Sequence, residues 1–173
     1  MLRYRIFGLL AFAILATGCG REPRDLEQIA TDIVSARTVG LAFLEENRLD
    51  EAEAEFAKLV DLAPNEAIGY ANLGLVYLRM GRYPEAEQQL NDALAITPND
   101  ADILLLLAKV HELSSKPDEA IRVLEQSLEA SPDHVKSLYA VADLHGRSGA
   151  ENAAALREEY LKAETFMQMA GLA

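Results

Sequence analysis

Residues 67–100 read AIGYANLGLVYLRMGRYPEAEQQLNDALAITPND. In the first half Tyr70, Leu73, Gly74 and Tyr77 return at three- and four-residue spacing, the period of a helix with one covered face. Gly81 and Pro84 interrupt that pattern, Ala86, Leu90 and Ala93 restart it, and Pro98 ends it. A helix, a tight turn and a second helix therefore fit into 34 residues. The same step recurs outward in both directions. Pro64, Pro98 and Pro132 stand 34 residues apart, and so do Ala52, Ala86, Ala120 and Ala154. Gly40, Gly74, Ala108 and Ala142 keep the same interval, as do the ring-bearing Phe43, Tyr77, His111 and His145. Four registers in step, without insertions, mean one structural unit repeated.

The local chemistry agrees with helix pairs. Gly74 lies inside a helical pattern, where glycine costs about 1 kcal/mol relative to alanine, so a close approach by a neighbouring helix must offset it. Gly81 is suited to a left-handed conformation after its helix, and Pro84 and Pro117 to the first turn of the next. Asp50 with Glu53 predicts a capping-box start, and Asn65, Asn99 and Asp133, each following a proline, are expected to cap the first helix of the next unit. Residues 23–32 read as helical, with Leu26, Ile29 and Ile33 on one side, extending the first helix toward the N-terminus. One hairpin cannot bury its own apolar face; stacked neighbours supply the core.

This pattern resembles the tetratricopeptide repeat, a 34-residue unit of two antiparallel helices. Tyr70, Leu73, Gly74, Tyr77, Gly81, Ala86, Leu90, Ala93 and Pro98 fall on its signature positions, with Tyr70 where the family usually has Trp. The resemblance implies an all-α solenoid over residues 24–168, with units at 33–66, 67–100, 101–134 and 135–168 and a tail at 169–173. The fourth unit departs from the pattern, with Glu158 at a large apolar position and Phe166 in place of the closing proline.

Ahead of the array, Arg3 and Arg5 precede the apolar run Ile6 to Ala16, then Thr17 and Gly18: a leader peptide with an apolar segment too short to span a bilayer. Leu15-Ala16-Thr17-Gly18-Cys19 resembles the lipobox of bacterial lipoproteins, although Leu15 stands one place earlier than is usual. That resemblance implies removal of residues 1–18 and a lipid on Cys19, the chain's single cysteine; the plainer reading is an ordinary leader that leaves a free thiol. With Gly20 next, the expectation is an exported protein held at the periplasmic face of the outer membrane, its array tied close by residues 19–23.

Half of the residues are apolar and a quarter charged, which fits a globular chain. A net charge of −12 argues against a nucleic-acid partner, since phosphate binding needs clustered Lys and Arg. No cofactor, metal or small-molecule substrate is expected, and no enzyme activity. His111 and His145 share a repeat position that the family fills with a packed ring, and Gly146-Arg147-Ser148-Gly149 has neither the spacing nor the base of a nucleophile turn. In the family, first helices line a concave groove that binds a peptide or amphipathic helix of a partner protein. The register then places Arg37, Leu41, Leu44, Ile68, Ala71, Asn72, Leu75, Arg79, Leu105, Lys109, Lys136 and Tyr139 in that groove, with Asp102, Leu106 and Asp143. Aliphatic anchors are expected to supply affinity, and Arg37, Arg79 and Lys109 to orient an acidic or amphipathic segment. The family's carboxylate clamp is not expected, because Leu41, Asp102 and Leu106 occupy its positions where Arg37 and Asn72 fit. The leading reading is a membrane-anchored scaffold of envelope assembly; the alternative is the docking arm of a larger exported enzyme or receptor.

Overall fold

The computed structural model describes residues 26–148 and 153–169. Residues 1–25, with the leader, Cys19 and the linker at 19–23, lie outside the described residues, as do 149–152 and 170–173. The described residues form α1 (Leu26–Glu45), α2 (Leu49–Leu62), α3 (Ala67–Arg79), α4 (Tyr83–Ile96), α5 (Ala101–Leu113), α6 (Pro117–Ala130), α7 (Val135–Ser148) and α8 (Ala153–Met169). Each helix packs on its sequence neighbours, with α3 also touching α5 and α5 touching α7. The result is an all-α solenoid of antiparallel pairs.

Three turns sit at the same place in the repeat. Asn47, Gly81 and Ser115 have φ of 57°, 75° and 59°, and the following amides of Arg48, Arg82 and Lys116 reach back to the carbonyls of Phe43, Tyr77 and His111 at 2.8–2.9 Å. That bond closes the first helix and turns the chain into the second. Pro84 and Pro117 occupy the first turns of α4 and α6, as their residue type favours.

The capping expectations need correction. Arg48, not Asp50, precedes α2, and Glu66 precedes α3; neither makes a side-chain cap. Asp100 caps α5, accepting from the amides of Asp102 and Ile103, one residue beyond the expected Asn99. The proline-led turn is longer by one residue than a direct proline-to-cap reading allows. Leu26 also differs from expectation: Ile29 and Ile33 are half-buried, but Leu26 is 82% exposed.

Among the described residues the core forms three clusters, one for each of the first three junctions. Phe56, Leu90 and Leu124 recur every 34 residues on α2, α4 and α6, all essentially without solvent contact. Opposite them are Gly40, Gly74 and Ala108. A Cβ at Gly40 would lie 2.7 Å from Phe56 Cε1, and one at Gly74 would lie 2.6 Å from Leu90 Cγ. The small position therefore sets the distance between the helices of a pair. Ala52, Ala86 and Ala120 are fully buried beside them. Ala154 lies within α8. Polar contacts link the pairs: Tyr77 donates to Glu53 Oε1 at 2.9 Å, and Arg82 reaches the same carboxylate at 3.2 Å while its guanidinium lies over the Tyr77 ring. One unit on, Lys116 and Glu87 repeat the ion pair at 3.4 Å. Tyr77 thus joins α3 to α2, whereas Pro64, Pro98 and Pro132 lie exposed in the turns between units.

Candidate functional site

The first helices α3, α5 and α7 frame two adjoining concavities. One, of about 520 Å³, has a floor of Leu105, Leu106, Val135, Tyr139 and Ala140, with Tyr160 of α8 as its wall. The Tyr139 and Tyr160 rings lie 5.2 Å apart and tilted, and Tyr139 is 56% exposed. The other, of about 390 Å³, lies between α3 and α5 and is lined by Ile68, Ala71, Asn72, Asp102 and Leu106, among others.

Every cation on the rim of the larger concavity is engaged by a carboxylate. Lys109 contacts Glu112 at 2.9 Å, Arg147 contacts Glu112 at 2.5 Å and Asp143 at 3.0 Å, and Lys136 contacts Asp102 at 3.0 Å. Burial works against the charged form of Glu112, but Lys109 and Arg147 outweigh it and hold the carboxyl below its ordinary value. Lys136 does the same for Asp102, against partial burial. Three cations and three carboxylates leave this rim neutral on a molecule of net charge −12.

In the smaller concavity the amide of Asn72 is 91% buried, and its Nδ2 has no protein partner. An amide group there needs an acceptor, which leaving it buried and unmade makes costly. His111 Nδ1 is likewise buried without a partner, in the interior of α5.

Of the residues assigned from the register, Ile68, Ala71, Asn72, Leu105, Lys109, Lys136 and Tyr139 line these concavities, with Asp102, Leu106 and Asp143. Five do not. Leu44 is 5% exposed and packs in the first core cluster, and Leu75 packs against the same cluster. Arg79 donates to the Leu44 carbonyl at 2.8 Å, closing the end of α1. Arg37 and Leu41 are exposed on α1 but line neither concavity. Glu112, Val135, Ala140, Arg147 and Tyr160 were missed. Tyr160 carried a signal: its equivalents Lys58, Asp92 and Gln126 are polar, so an aromatic group there breaks the repeat.

One further cluster has the residue types of a hydrolytic triad. His134 Nδ1 lies 2.7 Å from Ser137 Oγ, and His134 Nε2 lies 3.6 Å from Asp102 Oδ1. Ser137, however, is fully buried, and its hydroxyl is shared with buried Ser127 at 2.8 Å. A hydroxyl sealed between α6 and α7 joins helices and has no path to a substrate. Gly146, Arg147 and Ser148 end α7, and Gly149 lies outside the described residues. Among the described residues no three acidic or histidine groups converge as a metal site.

Stacked helix pairs with a concave inner face define a helical-repeat protein. Two family models, both described as tetratricopeptide repeat, match residues 43–110 and 105–166. The chain belongs to the tetratricopeptide-repeat family. A crystal structure of MamA is similar in fold, with a TM-score of 0.73 at 19% identity, covering 83% of this chain and 85% of that one. MamA from Desulfovibrio magneticus RS-1 gives 0.68 at 20% identity, over 77% and 76%. The second repeat domain of human RPAP3, in complex with the HSP70 peptide SGPTIEEVD, gives 0.62 at 18% identity, over 67% and 97%. No curated protein matches the chain.

Proposed function

We infer that this chain is a lipid-anchored scaffold of the cell envelope that holds an apolar segment of a partner protein across α3, α5 and α7. The observation that carries the reading is the apolar concavity of about 520 Å³ whose rim cations are all neutralised within the protein. Such a rim gives an acidic peptide no unshared cation. The segment recognised here differs in this respect from the acidic HSP70 peptide in the RPAP3 complex. Its anchor is an uncharged bulky side chain placed against Leu105, Leu106 and Tyr139. Lys109 and Lys136 fix the rim instead of capturing charge. The anchor reading rests on the Leu15 to Cys19 segment.

The test has two arms. A photo-reactive residue replacing Tyr139, introduced in the parent cell, is expected to crosslink one partner, and the yield should fall when Leu106→Glu is added to a folded chain. Equal yield with Leu106→Glu would refute groove binding. Separately, Cys19→Ser is expected to abolish lipid labelling and release the chain from the membrane fraction. Unchanged membrane retention would refute the anchor.

A further inference from the structure

A third concavity, of about 280 Å³, lies between α7 and α8 and is lined by Tyr139, Ala142, Asp143, Arg157, Tyr160 and Leu161. It adjoins the larger one, since Tyr139, Asp143 and Tyr160 line both. Its apolar wall departs from the repeat. Leu161 falls in register with Leu59, Ala93 and Ser127, all of them buried, yet Leu161 is 56% exposed.

Two further positions of the fourth unit depart from the pattern in a complementary way. Arg157 stands where earlier units carry Glu55, Gln89 and Val123, and Gly146 where they carry Leu44, Leu78 and Glu112. A Cβ at Gly146 would lie 3.1 Å from Arg157 Cζ and closer still to one of its terminal nitrogens. The guanidinium therefore rests against bare backbone of α7, in space that a missing side chain leaves. No carboxylate among the described residues engages it. Asp143, in the same concavity, is held by Arg147 at 3.0 Å, and Glu158 is held by Lys162 at 2.8 Å. Because the rim of the larger concavity is neutral, Arg157 gives this end of the groove an excess positive charge on a chain of net charge −12. An unpaired cation beside an apolar wall is complementary to a carboxylate with an apolar neighbour.

We propose that Arg157 is a specificity-determining residue of the groove, taking one acidic side chain of the partner segment within about two residues of its apolar anchor. The proposal rests on the groove reading above and adds to it the sign and place of the partner's charge. Two residues of extended chain span about 7 Å. Tyr139 and Tyr160, shared by the two concavities, form the step between anchor and acid. A run of acids is not favoured, because Lys109, Lys136 and Arg147 are already occupied.

The chain contains no tryptophan, so a Trp in a probe peptide reports binding alone. The probe is the end-capped peptide Ser-Glu-Ser-Trp-Ser-Glu-Ser. Its Trp is the anchor, and a Glu to either side makes the direction of the segment immaterial; the control peptide has Gln in both places. Each is titrated into the full chain in maltoside micelles. The Glu peptide is expected to bind about fivefold more tightly than the control, the upper end for one exposed ion pair. That preference should vanish at about 0.5 M salt, where exposed charges are screened. Arg157→Gln should bring the Glu peptide down to the control's affinity and leave the control unchanged. Gly146→Ala keeps the cation but fills its seat, and should about halve the preference with no loss of helix content. Leu106→Glu should weaken both peptides. If it weakens neither while Arg157→Gln still removes the preference, the groove assignment falls and the carboxylate site stands. No preference for the Glu peptide, or one that survives Arg157→Gln, overturns the proposal. A preference seen only in Glu151→Gln assigns Arg157 to the chain's own turn and overturns it. A full chain that is itself a dimer, dissociated by Arg157→Gln, overturns it in favour of a second copy.

Discussion

Gly74→Ala isolates the spacing of a helix pair in one methyl group. The added Cβ would lie 2.6 Å from Leu90 Cγ and 2.8 Å from Leu90 Cδ2, about 1 Å inside ordinary carbon–carbon contact. Leu90 has no solvent-exposed surface into which to move, so the helices must separate or the side chain must leave its rotamer. Overpacking of this kind costs about 1–3 kcal/mol. Alanine returns up to about 1 kcal/mol as the better helix former, so the expected net loss is about 0–2 kcal/mol. At roughly 2–4 °C per kcal/mol for a chain of this size, the melting temperature should fall by up to about 8 °C. Urea titration of residues 20–173, followed by circular dichroism, measures it. A double-mutant cycle assigns the cause: Leu90→Ala alone should cost about 2–5 kcal/mol, but Gly74→Ala added to it should be neutral or stabilising. A Gly74→Ala change no more costly in the parent than in the Leu90→Ala background would refute the close-approach argument.

Other outcomes follow from the same geometry. Gly81→Ala meets no neighbour within 4 Å but forces a side chain to φ of 75°, and should cost about 1 kcal/mol by urea titration. Tyr77→Phe removes the hydrogen bond to Glu53 and leaves the ring in place, with an expected loss of about 1 kcal/mol that disappears when Glu53→Ala is already present. Glu112→Gln should cost about 1 kcal/mol at neutral pH. The Glu112 carboxyl is held below its ordinary value, so its contribution is complete above about pH 5 and is lost as pH falls through the folded value. The difference between the urea midpoints of parent and variant should therefore narrow as the pH is lowered, and a gap as wide in acid as at pH 7 would contradict the assignment.

The architecture was legible because repetition turns weak local signals into a strong one. Gly74 alone is an unremarkable helix interruption, but Gly40, Gly74 and Ala108 in step predict a position under steric constraint, and the structure sets each opposite Phe56, Leu90 or Leu124. The groove was less legible for a physical reason. Register fixes the angle of a residue about its helix, not whether the next unit covers it, so Leu44 and Leu75 were assigned to a surface although they pack on the core. Arg79 stays exposed on α3, with its guanidinium donating to a carbonyl at the end of the preceding unit's first helix. The neutral rim could have been anticipated. Residues 34 or 35 apart are lateral neighbours in such a stack, and Asp102 with Lys136, or Glu112 with Arg147, are opposite charges at that separation. The N-caps were displaced by one residue because the turn after each proline had been counted too short.

The division of the core into three clusters also sets how the molecule responds to force. Among the described residues, the helices make their substantial contacts with the next helix or the next but one. A pull between the termini would load the junctions in series and peel pairs away one at a time, unlike a domain with a single core, which yields in one event. In a chain held at both ends, that is the behaviour of a compliant link: it lengthens by one pair under tension and re-forms the same local contacts when the tension is released, without a long-range search.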